Sequence, residues 1–162
     1  NFGIHTGVRT FEAAAYLRRM GAQTQEVKKL FCDTLESYTH KAKLVAAAQV
    51  YERCAISVSD DVPADMMVVV PQAANDLLSI SGVDASFVAV DTGNGINVSA
   101  RSMGDVNVQV IMEQLGGGGH LTMAGAQLRD ASLKETKQRL MDIIHEYREN
   151  QRAEARGPKN RA

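Results

Sequence analysis

Apolar residues in the first third of the chain recur at helical spacing. Phe11, Ala14 and Tyr16 follow Thr10, a residue type that caps helix starts, and predict a helix ending near Gly21. Thr24 opens a second run in which Val27, Leu30, Phe31, Leu35 and Tyr38 share one face and Leu44 and Val45 extend it. This predicts a single long amphipathic helix that docks on another domain or connects two. Near Val50 the period shortens. Ala55 to Ser59, Ser86 to Val90, Ile96 to Ala100 and Ala124 to Leu128 are expected strands.

Between these strands lie turn and helix signals. Asp60-Asp61-Val62-Pro63 is a turn. Met66 to Val70 is an apolar run that fits either state, Pro71 kinks or opens a helix, and Ala73 to Ile80 is helical. Asp91 to Gly95 is rich in residues that tolerate left-handed backbone and joins two strands as a hairpin. Val106 to Leu115 is a short helix, with Asp105 near its start and Gly116 at its stop. Ser132 and Glu135 form a capping box. Leu133, Leu140, Ile143, Ile144 and Tyr147 then line one face of a last helix.

The alternation predicts an α/β fold, a mixed β-sheet flanked by helices and preceded by a helical segment. Residues 1–49 are expected as a helical unit, 50–150 as the sheet domain and 151–162 as a disordered basic tail. Asn1 is not an initiator methionine, so the chain is expected to be a piece of a longer protein. No segment approaches the roughly 20 apolar residues of a membrane helix, and this chain is expected to make no membrane contact.

Charge adds a sharper observation. Eighteen basic residues stand against nineteen acidic ones, a net charge of -1, which argues against a long polyanion as partner. Arg101 is the single basic residue between Cys54 and Leu128, whereas Cys54 to Leu115 carries eight acidic ones. An isolated arginine of this kind is either half of an ion pair, with Asp105 or Glu113 in reach, or an anion site. Cys32 and Cys54 match no metal spacing, and the four histidines are scattered.

Gly116-Gly117-Gly118-Gly119-His120 is the strongest local feature. Each glycine costs about 0.5–1 kcal/mol of backbone entropy relative to alanine. Such a run therefore points to left-handed backbone, to a close backbone approach, or to amides exposed as an anion nest. It lacks the Lys-Ser/Thr of a P-loop, and Gly93-Asn94-Gly95 lacks the third glycine of a dinucleotide fingerprint. Ser99-Ala100-Arg101-Ser102 closes a strand and offers a guanidinium with two short hydroxyl donors. Taken together, the arginine segment and the glycine-histidine loop predict a phosphate site.

Gly117 to Gly125 resembles the GGGHxxAAG pattern of the DHH-associated domain, the substrate-binding half of DHH family phosphoesterases, with Met123 in place of its first alanine. Ser99 to Leu128 is especially similar to membrane-anchored cyclic-di-AMP phosphodiesterases. The matching parts are Ala100-Arg101-Ser102, Gly104 to Val110 and Gly116 to His120. Thr6 to Glu12 looks like the end of the catalytic DHH domain. The resemblance implies a phosphodiesterase whose manganese ions are held by the DHH domain and not by this segment, which has no Asp-His-His triplet. It implies that Ser99, Arg101, Ser102, Gly117, Gly118, Gly119 and His120 bind substrate and that the segment carries no catalytic residue of its own. The implied partners are a cyclic dinucleotide or short oligonucleotide and the upstream DHH domain, with a homodimer as a further expectation. The implied location is a cytoplasmic portion of a parent anchored in the bacterial membrane. Two alternatives remain: a DHH oligoribonuclease or exonuclease acting on short single strands, and a non-catalytic nucleic-acid-binding appendage.

Overall fold

The computed structural model describes residues 6–156; residues 1–5 and 157–162, which include His5 and the end of the expected tail, lie outside it. The chain divides into two compact units, Asn1–Glu36 and Ser37–Ala162. The division falls earlier than the expected one at residue 49, because α3 (Leu35–Ala46) packs with the sheet: Leu44 is buried in its core.

The first unit holds α1 (Val8–Arg19) and α2 (Thr24–Lys29), neither of which buries a residue. The expected long helix is thus two helices, α2 and α3, interrupted at residues 30–34. Asp33 and Thr34 sit in the break, and such side chains compete with helix backbone and favour starts over interiors.

The second unit is a six-stranded mixed sheet whose strands lie side by side in the order 49–51, 54–59, 85–91, 96–102, 123–128, 118–119. β1 (Gln49–Tyr51) and β2 (Cys54–Ser59) form a tight hairpin. β2 pairs parallel with β3 (Ala85–Asp91), and the crossover carries a single 3-10 turn at Ala64–Met66 and then α4 (Val69–Leu77). The ambiguous run at 66–70 therefore ends the 3-10 turn, passes through a turn at 67–68 and opens α4. Pro71 falls in the first turn of α4, where its missing N–H costs nothing. β3 turns back into β4 (Ile96–Ser102) through the expected hairpin. β6 (Met123–Leu128) pairs antiparallel with β4, and the two-residue β5 (Gly118–Gly119) forms the edge.

α5 (Val108–Glu113) starts later than expected. Asn107, not Asp105, caps it, accepting a hydrogen bond from the Gln109 amide at 3.1 Å. The capping box before α6 (Leu133–Arg156) is present, with Ser132 and Glu135 bonded reciprocally. α6 runs through residues 151–156, against the expectation of a disordered tail from 151. Gln151 donates to the Asp105 carbonyl at 3.1 Å and Arg152 reaches Glu52 at 3.4 Å, so this stretch is tied to the body of the unit.

Two cores flank the sheet. On one side α5 and α6 cover Ile56, Phe87, Ile96, Val98, Ala124, Ala126 and Leu128. On the other, α3 and α4 cover Ala55, Val88 and Val90. Two buried serines fasten this second layer. Ser57 donates to the Leu44 carbonyl and Ser86 to the Ala74 carbonyl, both at 2.6 Å, satisfying groups in the last turns of α3 and α4. This layer is narrower than the first. It ends at β4, and the same face of β6 and β5 is left open.

Candidate phosphate-binding face

Strand alternation decides what the open face presents. Along β4, Ile96, Val98, Ala100 and Ser102 are buried toward α5 and α6, while Asn97, Ser99 and Arg101 point the other way. Along β6, Met123, Gly125 and Gln127 share that direction. The register aligns Asn97 with Gln127, Ser99 with Gly125 and Arg101 with Met123. On the edge, Gly118 faces Gly125. One step further, His120 and Met123 exchange both backbone hydrogen bonds, at 2.7 and 3.3 Å. Opposed residues of an antiparallel pair point to one face, so His120, one residue beyond β5, falls in one row with Met123 and Arg101. Arg101 and His120 are thus two strand spacings apart, about 10 Å.

By register, Arg101, Met123 and His120 make one row and Asn97 and Gln127 another, and the small residues between them leave a shallow trough. Its floor is Ser99, Gly125 and Gly118, which together offer one hydroxyl and otherwise bare backbone.

Arg101 is half-buried beside Met123. One terminal nitrogen donates to the Ala100 carbonyl at 2.8 Å, and its buried Nε has no hydrogen-bond partner. Burial alone lowers its pKa, and no carboxylate acts on it. The alternative reading, an ion pair with Asp105 or Glu113, does not form among the described residues: burial alone acts on the guanidinium, and the Glu113 carboxylate accepts from the Gln109 side-chain amide at 2.8 Å. An arginine stays protonated in such a setting. The result is a fixed, partly desolvated cation open to an anion.

The glycines divide by cause. Gly116, at φ +79°, ends α5: its amide bonds the Glu113 carbonyl and the next amide bonds the Met112 carbonyl. A Cβ on Gly117 would lie 2.1 Å from the Gly125 carbonyl oxygen, and one on Gly119 would lie 2.4 Å from the Ala124 Cα. These two residues let β5 press against β6 and do not face the trough. A Cβ on Gly118 would meet nothing within 4 Å. No neighbour in the fold requires glycine there, and the space over it is trough.

Ser102 departs from its expected place. It is buried on the α5 side of β4, where its hydroxyl bonds the Leu121 carbonyl at 3.3 Å and accepts the Gly104 amide. It holds the turn after β4 and the loop after His120 together from beneath. Asn97 and Gln127 were missed, because nothing local to either sequence position says that β6 will pair with β4 in that register.

Residues 53–150 match the DHHA1 domain family. The chain belongs to the DHHA1 domain family. It is 49% identical over 149 residues to the cyclic-di-AMP phosphodiesterase GdpP of Geobacillus thermodenitrificans and 42% identical over 149 residues to the cyclic-di-AMP phosphodiesterase PdeA of Listeria monocytogenes. Each alignment covers 91% of this chain and 23% of the relative, so the chain spans about a quarter of their length. Among solved structures, an exopolyphosphatase-related protein from Bacteroides fragilis superposes with a TM-score of 0.72 at 17% identity, over 91% of this chain and 47% of that one. That likeness confirms the α/β fold with its mixed sheet.

Among the described residues, no three or more His, Cys, Asp or Glu side chains converge as a metal site, and no helix is long and apolar enough to cross a membrane.

Proposed function

We propose that this chain is the substrate-holding part of a manganese-dependent DHH phosphodiesterase that opens cyclic-di-AMP to the linear dinucleotide. The observation that carries the reading is the half-buried Arg101, without a carboxylate partner, in one row with His120. Identity of 42–49% to relatives named for cyclic-di-AMP hydrolysis supports the substrate.

Arg101 grips the non-bridging oxygens of a phosphodiester through parallel N–H donors. His120 hydrogen-bonds the phosphate from the far side of Met123. Ser99 adds a hydroxyl from the floor, and bare backbone at Gly118 and Gly125 lets the sugar lie close. These residues position and discharge the phosphate but provide no nucleophile. We assign water activation to manganese that the DHH domain of the parent would hold. We further place this segment on the cytoplasmic side of a membrane-anchored parent.

The test is hydrolysis of cyclic-di-AMP, a linear dinucleotide and short RNA by the parent protein with manganese. Arg101→Ala and His120→Ala should each lower kcat/KM for cyclic-di-AMP by about 100-fold, the loss of a charge-assisted contact worth roughly 2–3 kcal/mol. Melting temperatures should stay unchanged. Wild-type kinetics in both variants rejects the site, and faster cleavage of short RNA than of cyclic-di-AMP rejects the substrate.

A further inference from the structure

The wall opposite Arg101 has its own chemistry. Asn97 and Gln127 are in register across β4 and β6, and directly opposed Cβ atoms lie about 5 Å apart. Two carboxamides at that spacing present one edge of alternating donors and acceptors. Asn97 is half-buried and Gln127 exposed, and neither amide bonds another described residue. They border a cavity of ≈ 420 Å³ at the β3–β4 hairpin, whose polar lining adds Thr92, Asn94 and Arg129 and contains no carboxylate. A volume in this range suits a small planar ligand.

From these observations we infer that Asn97 and Gln127 form a nucleobase subsite that reads the edge of an adenine. The inference rests on the phosphate reading of Arg101 and His120. Asn97 lies four residues from Arg101 along β4, about 13 Å. A nucleotide laid along the strand places its phosphate on Arg101, its sugar over Ser99, Gly118 and Gly125, and its base at the amide pair. A carboxamide offers a donor beside an acceptor, which matches the exocyclic amine and adjacent ring nitrogen of adenine. Guanine offers two neighbouring acceptors on the same edge and is matched poorly. Arg129 at the rim supplies a guanidinium plane for stacking.

The experiment titrates the isotopically labelled 162-residue chain with AMP, GMP and ribose 5-phosphate, following amide resonances. AMP should bind about tenfold more tightly than ribose 5-phosphate, the order of one bidentate base contact. Asn97→Ala, Gln127→Ala and the size-conserving Asn97→Asp should each bring AMP down to the ribose 5-phosphate level and leave ribose 5-phosphate itself unchanged. The dispersed spectrum of each variant reports that it folds. Unaltered AMP binding in all three variants, or GMP binding tighter than AMP, overturns the base subsite. Arg101→Ala that leaves ribose 5-phosphate binding untouched overturns the phosphate row instead. Absence of binding by all three compounds overturns both.

Discussion

Arg101 on β4 and His120 beyond β5 are both paired with Met123, one by sheet register and the other by two backbone hydrogen bonds. They are 19 positions apart in sequence yet share one face of the sheet, at the margin of the layer that α4 forms.

The glycine loop should separate folding from binding. Gly117→Ala and Gly119→Ala force a Cβ into backbone at 2.1 and 2.4 Å and should each destabilise by about 1–3 kcal/mol, as overpacking does. Gly118→Ala has open space and should shift stability by less than about 0.5 kcal/mol. It should still weaken nucleotide binding, because its methyl group rises from the trough floor. Thermal denaturation and titration of the three variants check this together.

Much of this was legible in the sequence, and the boundary has a physical cause. Local signals carried the Ser132–Glu135 box, the hairpin at Asp91 to Gly95 and the glycine-histidine loop, because each depends on neighbours in the chain. The side of β4 on which a residue falls also follows from local alternation, and applying it strictly places Ser102 beneath the sheet, opposite Arg101. Asn97 and Gln127 could not be joined in advance, since strand register is set by packing over the whole sheet. The break between α2 and α3 was hidden by an apolar pattern that runs on through Asp33 and Thr34. The composition of residues 151–156 reads as a solvated end, because the contacts that hold them, with Glu52 and Asp105, are distant in sequence.

Asp84 holds the lower end of the sheet domain. It accepts from Arg53 at 2.6 Å and from Arg148 at 2.8 Å, and its side chain is 14% exposed. The hydrogen bond from Arg53, supported by Arg148, holds its carboxyl below the usual carboxylate range against the cost of burial. A carboxyl with a depressed folded pKa adds stability above its unfolded pKa of about 4, and that stability is lost as pH falls through the folded value. Asp84→Asn should therefore cost about 2 kcal/mol at neutral pH. The gap between wild type and variant should close below about pH 4. Melting curves from pH 7 downward measure it.

The two cysteines should differ in reactivity. Cys32 is exposed, whereas Cys54 is buried in β2. Desolvation pushes the Cys54 thiol up to about 11, with Arg148 opposing the shift only in part. The thiolate is the reactive form, so a disulfide reagent at pH 7 should label Cys32 and spare Cys54 in the folded chain. Cys32→Ser should then abolish labelling until denaturant is added. Prompt labelling of Cys54 in that variant would contradict the buried placement of β2.

The most direct measurement follows the Arg101 Nε–H resonance while cyclic-di-AMP is added to the labelled chain. This group is buried and without a protein partner. It should move on binding together with the amides of Ser99, Gly118, His120 and Gly125, and Arg101→Ala should weaken binding by at least about tenfold. A binding isotherm whose perturbed resonances lie away from this face, with Arg101 and His120 unmoved, would contradict the account.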